Sequence, residues 1–106
     1  MKLPADITID SEKITKYLLL KREKNDKSLF LLQAGYDLTN WQYLETDLRN
    51  LTANNEALYS HSSIFGDYYE IKGSLKGPNG KALSVRTIWM KEHFSDQTKF
   101  VTLIPA

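Results

Sequence analysis

Two runs, Tyr68-Tyr69-Glu70-Ile71-Lys72-Gly73-Ser74-Leu75 and Lys81-Ala82-Leu83-Ser84-Val85-Arg86-Thr87-Ile88-Trp89, flank Gly77-Pro78-Asn79-Gly80. One antiparallel register collects their apolar side chains on a single side. It sets Leu75 against Leu83, Gly73 against Val85, Ile71 against Thr87 and Tyr69 against Trp89, as a half-buried sheet requires. The other side then carries Ser74 with Ser84, Lys72 with Arg86, and Glu70 with Ile88. Sliding the pairing by one residue would drive Arg86 among the apolar groups. The same register leaves Pro78-Asn79-Gly80 as a three-residue loop. That suits a type I turn ending in a left-handed glycine at a bulge, with proline where its fixed φ fits. Pattern and turn chemistry agree on the hairpin, and the hairpin places two cations face to face. Like charges opposed across strands are unfavourable unless a carboxylate or a bound anion lies between them.

The half before the hairpin reads as helical. Asp10 can cap a helix running from Ser11 to about Leu19, with Ile14, Tyr17 and Leu18 along one apolar face. Lys21 to Lys24 is a charged break. Asn25 or Asp26 then caps a second helix whose Leu29, Phe30 and Leu32 lead to Gly35, a C-terminal stop. Thr39 and Gln42 form a capping box for a third helix, striped by Trp41, Leu44, Leu48 and Leu51 and ended at Asn54-Asn55. A strand is weakly signalled near Ala57 to Ser60, Ser62 to Gly66 reads as a loop, and Lys99 to Ile104 makes the last strand. The expected fold is a single α+β domain over residues 1–106. About three N-terminal helices (the half 1–55) pack on one face of a three- to four-stranded antiparallel sheet (the half 56–106).

Composition narrows the function classes. Fourteen basic residues against thirteen acidic ones leave a net charge of +1, so any anion site must be local rather than a property of the whole surface. There is no cysteine, which removes disulfide and thiol chemistry. The two histidines, His61 and His93, are far apart and in no ligand-spaced cluster, so no metal site and no cofactor is expected. Residues 1–10 lack the apolar run of a signal peptide, and no segment is long enough to span a membrane. The expectation is a cytoplasmic protein with no membrane partner.

The chain also carries an ordered set of motifs: Lys13-x-x-x-Tyr17-Leu18-Leu19, Asp26-Lys27-x-x-Phe30-x-x-x-x-Gly35-Tyr36, Asn40-Trp41-x-x-Leu44, and Gly66-Asp67-x-Tyr69. Leu75-x-Gly77-Pro78-Asn79-Gly80, Ile88-Trp89 and Leu103 to Pro105 complete it. Together these resemble an uncharacterised bacterial domain family found as small stand-alone proteins and at the C-termini of larger toxins. The helices-then-sheet layout, and the ending Val101-Thr102-Leu103-Ile104-Pro105, also resemble the barnase–EndoU–colicin–RelE superfold of ribonuclease toxins. That resemblance implies catalytic groups on the open sheet face and the helix before it. One departure stands out. Family members often carry a histidine shortly after the Tyr-Leu-Leu segment, where this chain has Lys21-Arg22-Glu23-Lys24-Asn25.

RNA cleavage without metal needs a base for the 2′-hydroxyl, a cation for the pentavalent phosphate and an acid for the leaving oxygen. Lys72 and Arg86 are the candidates to hold the phosphate, Arg86 as a bidentate fork and Lys72 as a point charge. Thr102 alternates with Val101 and Leu103 and so belongs on the polar side. His61, just upstream of the strands, is the histidine best placed for acid or base work. Each has a plainer reading: Lys72 and Arg86 as solvated residues with Glu70 diagonal to Arg86, His61 as ordinary surface, and Tyr69 and Trp89 as core anchors. The function expected from all this is a metal-independent, RNA-cleaving, toxin-like module. Its expected partners are RNA and a small cognate immunity or antitoxin protein. The alternatives are a non-catalytic binding module or one partner of a toxin–antitoxin-like pair, and a self-associating protein that uses its sheet edge.

Overall fold

The computed structural model describes residues 1–24 and 26–106. Four strands follow one another as an antiparallel meander: Leu58–Ser62 (β1), Gly66–Lys76 (β2), Ala82–Glu92 (β3) and Thr98–Pro105 (β4). The β2–β3 register matches the expected one at every pair, including Lys72 with Arg86 and Tyr69 with Trp89. At the tip, the Gly80 amide bonds to the Gly77 carbonyl at 2.9 Å and Gly80 adopts φ +89°. That is the turn the proline and glycine call for.

The helices depart from expectation in length. Only Trp41–Asn54 (α2) is a long helix, and its Leu44, Leu48 and Leu51 are buried as the stripe requires. Leu51 lies over Gly73 of β2, so this helix covers the apolar sheet face. The capping box sits earlier than the Thr39–Gln42 pair. Asp37 accepts from the Thr39 amide at 2.8 Å, and Asn40 accepts from the Asp37 amide at 2.9 Å, opening a 3-10 turn that runs into α2. Asp37 wins because its carboxylate is ionised and therefore the stronger acceptor.

The expected second helix shrinks to five residues, Ser28–Leu32 (α1). Leu31 is its buried residue, whereas Leu29 and Leu32 are exposed. Its N-cap is Lys27, with no side-chain cap bond, rather than Asp26, which lies one residue earlier and accepts from the Ser28 amide at 2.8 Å; the other expected cap, Asn25, lies outside the described residues. Gly35 stops it with φ +91°. The first helix begins at Ser11, where the Asp10 carboxylate accepts the Glu12 amide at 3.0 Å. It then widens into a π-helix over Lys13–Leu18, closed by the Leu19 amide on the Ile14 carbonyl at 2.9 Å.

Trp89 sits at the centre of the core with Phe100 edge-on at 5.2 Å, and Ile14, Leu18, Leu48 and Leu103 are fully buried with it. Its indole N–H donates to Thr87 Oγ1 at 2.8 Å, so the polar end of the largest core side chain is satisfied. Tyr36 is buried too and donates to Asp47 of α2, tying the segment after α1 to the long helix. Burial, then the Asp47 carboxylate, push its phenol far above the ordinary value. Near the N-terminus, Thr8 bridges to the outer edge of β4, with its amide 2.8 Å from the Thr98 carbonyl.

Thr98 itself is a weak point. Its Oγ1 is buried with no hydrogen-bond partner among the described residues. A buried unsatisfied hydroxyl carries a desolvation penalty that a near-isosteric methyl does not. Thr98→Val is therefore expected to stabilise the domain by about 1 kcal/mol, read from the urea midpoint. A lower midpoint would show that this hydroxyl contributes to the fold.

Candidate functional site

The sheet face turned away from α2 carries the polar cross-strand pairs. Lys72 and Arg86 stand opposite each other there. Between the rows Glu70 reaches diagonally, its Oε1 3.6 Å from Arg86 Nη1. The like-charge pair is thus relieved on one side by a part-exposed ion pair, of a kind that contributes about 0–1 kcal/mol to stability. Lys72 is exposed and Arg86 half-buried.

Thr102 pairs with Ile88 and shares this face, on the strand next to Arg86 and one row away. The diagonal places their backbones about 7–8 Å apart. Its surroundings are richer than alternation alone implies. Lys27 Nζ donates to Thr102 Oγ1 at 2.9 Å and to Tyr17 Oη at 3.3 Å, while Thr102 Oγ1 lies 3.4 Å from the same phenol oxygen. Arg22 places its guanidinium 4.7 Å from the Tyr17 ring centroid, and Lys27 its ammonium 5.2 Å from it.

Tyr17 reaches this position because of the π-helix. A π turn advances fewer degrees per residue than an α turn. Ile14 and Leu18 stay aligned on the core, while Tyr17, three residues after Ile14, swings further off that stripe. Its ring packs against the core edge and its hydroxyl projects to β4. The hydrogen bond with Thr102 is the largest influence on the phenol. With the Lys27 hydrogen bond and the charges of Lys27 and Arg22, it holds the phenol below its ordinary value despite partial burial. The arrangement makes the phenol easier to ionise than a free tyrosine, with the Lys27 and Arg22 cations beside its ring.

His61 lies elsewhere on the same face. It sits on β1 opposite Tyr68, its ring parallel to that tyrosine at 4.5 Å between centroids, and its Nδ1 is 2.9 Å from Ser60 Oγ. Three strand spacings separate β1 from β4 and Thr102 lies one row further along, so His61 is about 16 Å from Thr102. The fold sets Arg86 beside Lys72 on one neighbouring strand and within one row of Thr102 on the other, and leaves His61 at the far edge.

His93, in the turn after β3, lies with its Nε2 3.1 Å from Asp67 Oδ1, and Ser62 donates to the same carboxylate oxygen. Those bonds, Ser62 first, hold the Asp67 carboxyl below its usual range. The carboxylate sits between serine and histidine, so the imidazole is not placed to activate the hydroxyl. This trio ties the ends of β1, β2 and β3 together.

Tyr17, Lys27 and Arg22 were not among the residues singled out for chemistry from the sequence. Tyr17 was legible only as part of an apolar stripe. Its signal, and that of Lys27, was their place in ordered motifs that helical periodicity does not require.

Among the described residues, no group of three or more His, Asp or Glu side chains is arranged to hold a metal ion, and no helix is long and apolar enough to cross a membrane. No curated protein matches the chain. Among solved structures, one chain of the contact-dependent growth inhibition toxin–immunity protein complex from Klebsiella pneumoniae 342 is similar. It aligns with a TM-score of 0.68 over 95% of this chain and 94% of that one, at 19% identity. At that identity the likeness is one of fold. The model of the family described as a domain of unknown function, DUF6883, matches residues 2–106, and the chain therefore belongs to that family.

Proposed function

We propose that this domain is a toxin-type endoribonuclease that works without metal on RNA in the cytoplasm. The observation that carries the reading is the Lys27 ammonium shared between the Thr102 hydroxyl and the Tyr17 phenol, on the sheet face that also presents Arg86. A phosphodiester seated against Thr102 meets Lys27 from one side and Arg86 from the other. Tyr17 accepts the proton of the 2′-hydroxyl, whose oxygen then bonds to phosphorus. Lys27 and Arg86 balance the charge that develops on the phosphorane. The bond from phosphorus to the 5′-oxygen breaks, that oxygen takes a proton from the Lys27 ammonium, and the products are a 2′,3′-cyclic phosphate and a 5′-hydroxyl. Supporting the class rather than the chemistry, the fold resembles a chain of a growth-inhibition toxin–immunity complex. A small immunity-type protein is the partner such a toxin would need.

The test uses purified protein and bacterial RNA in the presence of EDTA. Cleavage leaving cyclic-phosphate ends is expected, slowed about 10²-fold in Arg86→Ala. Intact RNA, together with normal growth when the protein is induced in a bacterial host, would overturn the reading. It would favour a non-catalytic binding module, including the immunity side of such a pair.

A further inference from the structure

Tyr59 pairs with Tyr69, and a regular ladder would then bring Ser60 opposite Tyr68. Instead the register shifts, and His61 takes that place. Bulges on edge strands re-aim side chains. Here the result is two rings lying flat on one another, 4.5 Å apart and inclined by 4°. The aromatic pairs on the core side behave differently. Trp89 with Phe100 and Tyr59 with Tyr69 meet edge-on, at 68° and 77°. Edge-on packing fills space, whereas a parallel pair on an open face leaves one flat π surface facing outward. His61 is exposed, so that surface belongs to its imidazole.

We infer that the bulge-aimed His61–Tyr68 stack is a platform for an unpaired nucleobase, and that the substrate is therefore single-stranded RNA. This rests on the ribonuclease reading above and specifies its substrate. The platform lies on the same sheet face as Lys72 and Arg86, two rows further along β2 from Lys72. At about 6.8 Å per two residues it is about 14 Å from that cation, a span for a short extended strand rather than a single nucleotide. Glu70 occupies the row between. Its carboxylate repels phosphate and accepts from base amino groups, so bases rather than backbone cross that row. Sequence-tolerant recognition of unpaired strands uses this pairing of a cationic track with aromatic stacking, and histidine is among the residues that stack.

The test measures fluorescence anisotropy with a labelled 2′-O-methyl RNA oligomer, which lacks the attacking hydroxyl and stays intact. The comparison ligands are the same oligomer with abasic sites and a fully paired duplex. Tyr68→Ala and the exposed His61→Ala are each expected to weaken binding of the single strand about 10-fold. Binding of the abasic oligomer should not change, and Tyr68→Trp should restore the single-strand affinity. Equal wild-type affinity for intact and abasic oligomers, or His61→Ala binding as tightly as wild type, would overturn the platform while leaving the nuclease standing. Wild-type protein that binds neither oligomer would remove both readings.

Discussion

Alanine at Gly77 is expected to cost this domain about 3–5 kcal/mol, a large share of the roughly 5–15 kcal/mol that holds a domain of this size folded. The reason is tertiary. A Cβ there would lie 2.0 Å from the Ala34 carbonyl oxygen and 2.5 Å from Ala34 Cβ. The first contact is with backbone, so no side-chain rotation relieves it. The hairpin tip would have to lift off the segment after α1. That would break the bonds from the Asn79 amide to the Ala34 carbonyl at 3.2 Å and from Asn79 Nδ2 to the Gln33 carbonyl at 2.9 Å. Gly80→Ala is the control. Its φ is +89°, but nothing lies within 4 Å of the added carbon, so only backbone strain of about 1–2 kcal/mol is expected. Urea midpoints of the two variants decide the matter. Gly77→Ala no less stable than Gly80→Ala would mean that the tip does not dock as described.

Lys27→Met is expected to lower RNA cleavage by about 10²–10³-fold while leaving the domain folded. Lys27 is only half-buried, and methionine keeps its apolar stem, so the loss is of charge and donors. A second readout separates chemistry from packing. Lys27 and Thr102 both favour the ionised form of Tyr17. Removing either one therefore raises the phenol's pKa. Wild-type cleavage should climb as pH rises through the lowered Tyr17 value, and that limb should move to higher pH in Lys27→Met and Thr102→Val. Near-ultraviolet absorbance of the tyrosinate follows the same shift without substrate, and Tyr17→Phe identifies which signal is its own. A variant that cleaves like wild type, with its tyrosinate titration unmoved, would take Lys27 and Tyr17 out of the mechanism.

The neutral overall charge is consistent with this local arrangement. A domain with 14 basic and 13 acidic residues has no long-range pull on RNA. In the proposed nuclease, binding would come from cations on one sheet face and from contacts with the bases. That predicts a shallower salt dependence than a basic nucleic-acid binder shows, because fewer counterions are released.

The hairpin was readable residue by residue because side chains alternate along a strand. A one-residue slip would exchange the buried and solvated faces, so the apolar pattern admits a single register. Gly80 had to follow Pro78-Asn79 because that turn needs a left-handed residue. Leu44, Leu48 and Leu51 were legible for the matching reason in a helix. The short helices were not. Apolar Leu29 and Leu32 suggest a longer buried stripe, yet only Leu31 meets the core, and nothing in five residues could have settled which face turns inward.

The sequence by itself determined which residues of the strands and the long helix share a face, and so that Lys72, Arg86 and Thr102 lie on the open side of the sheet. Periodicity reports burial, and burial is what those elements are selected for. Only the tertiary structure decided what surrounds Thr102. Tyr17 and Lys27 come to it across 85 and 75 residues of chain. One arrives from a π-helix and the other from the segment leading into a short helix. A bulge on β1 likewise decided that His61, rather than Ser60, stacks on Tyr68, and the strand order set it at the edge far from that cluster. Contacts made by irregular segments against an edge strand have no repeat to betray them, because they depend on where the packed core sets each segment down.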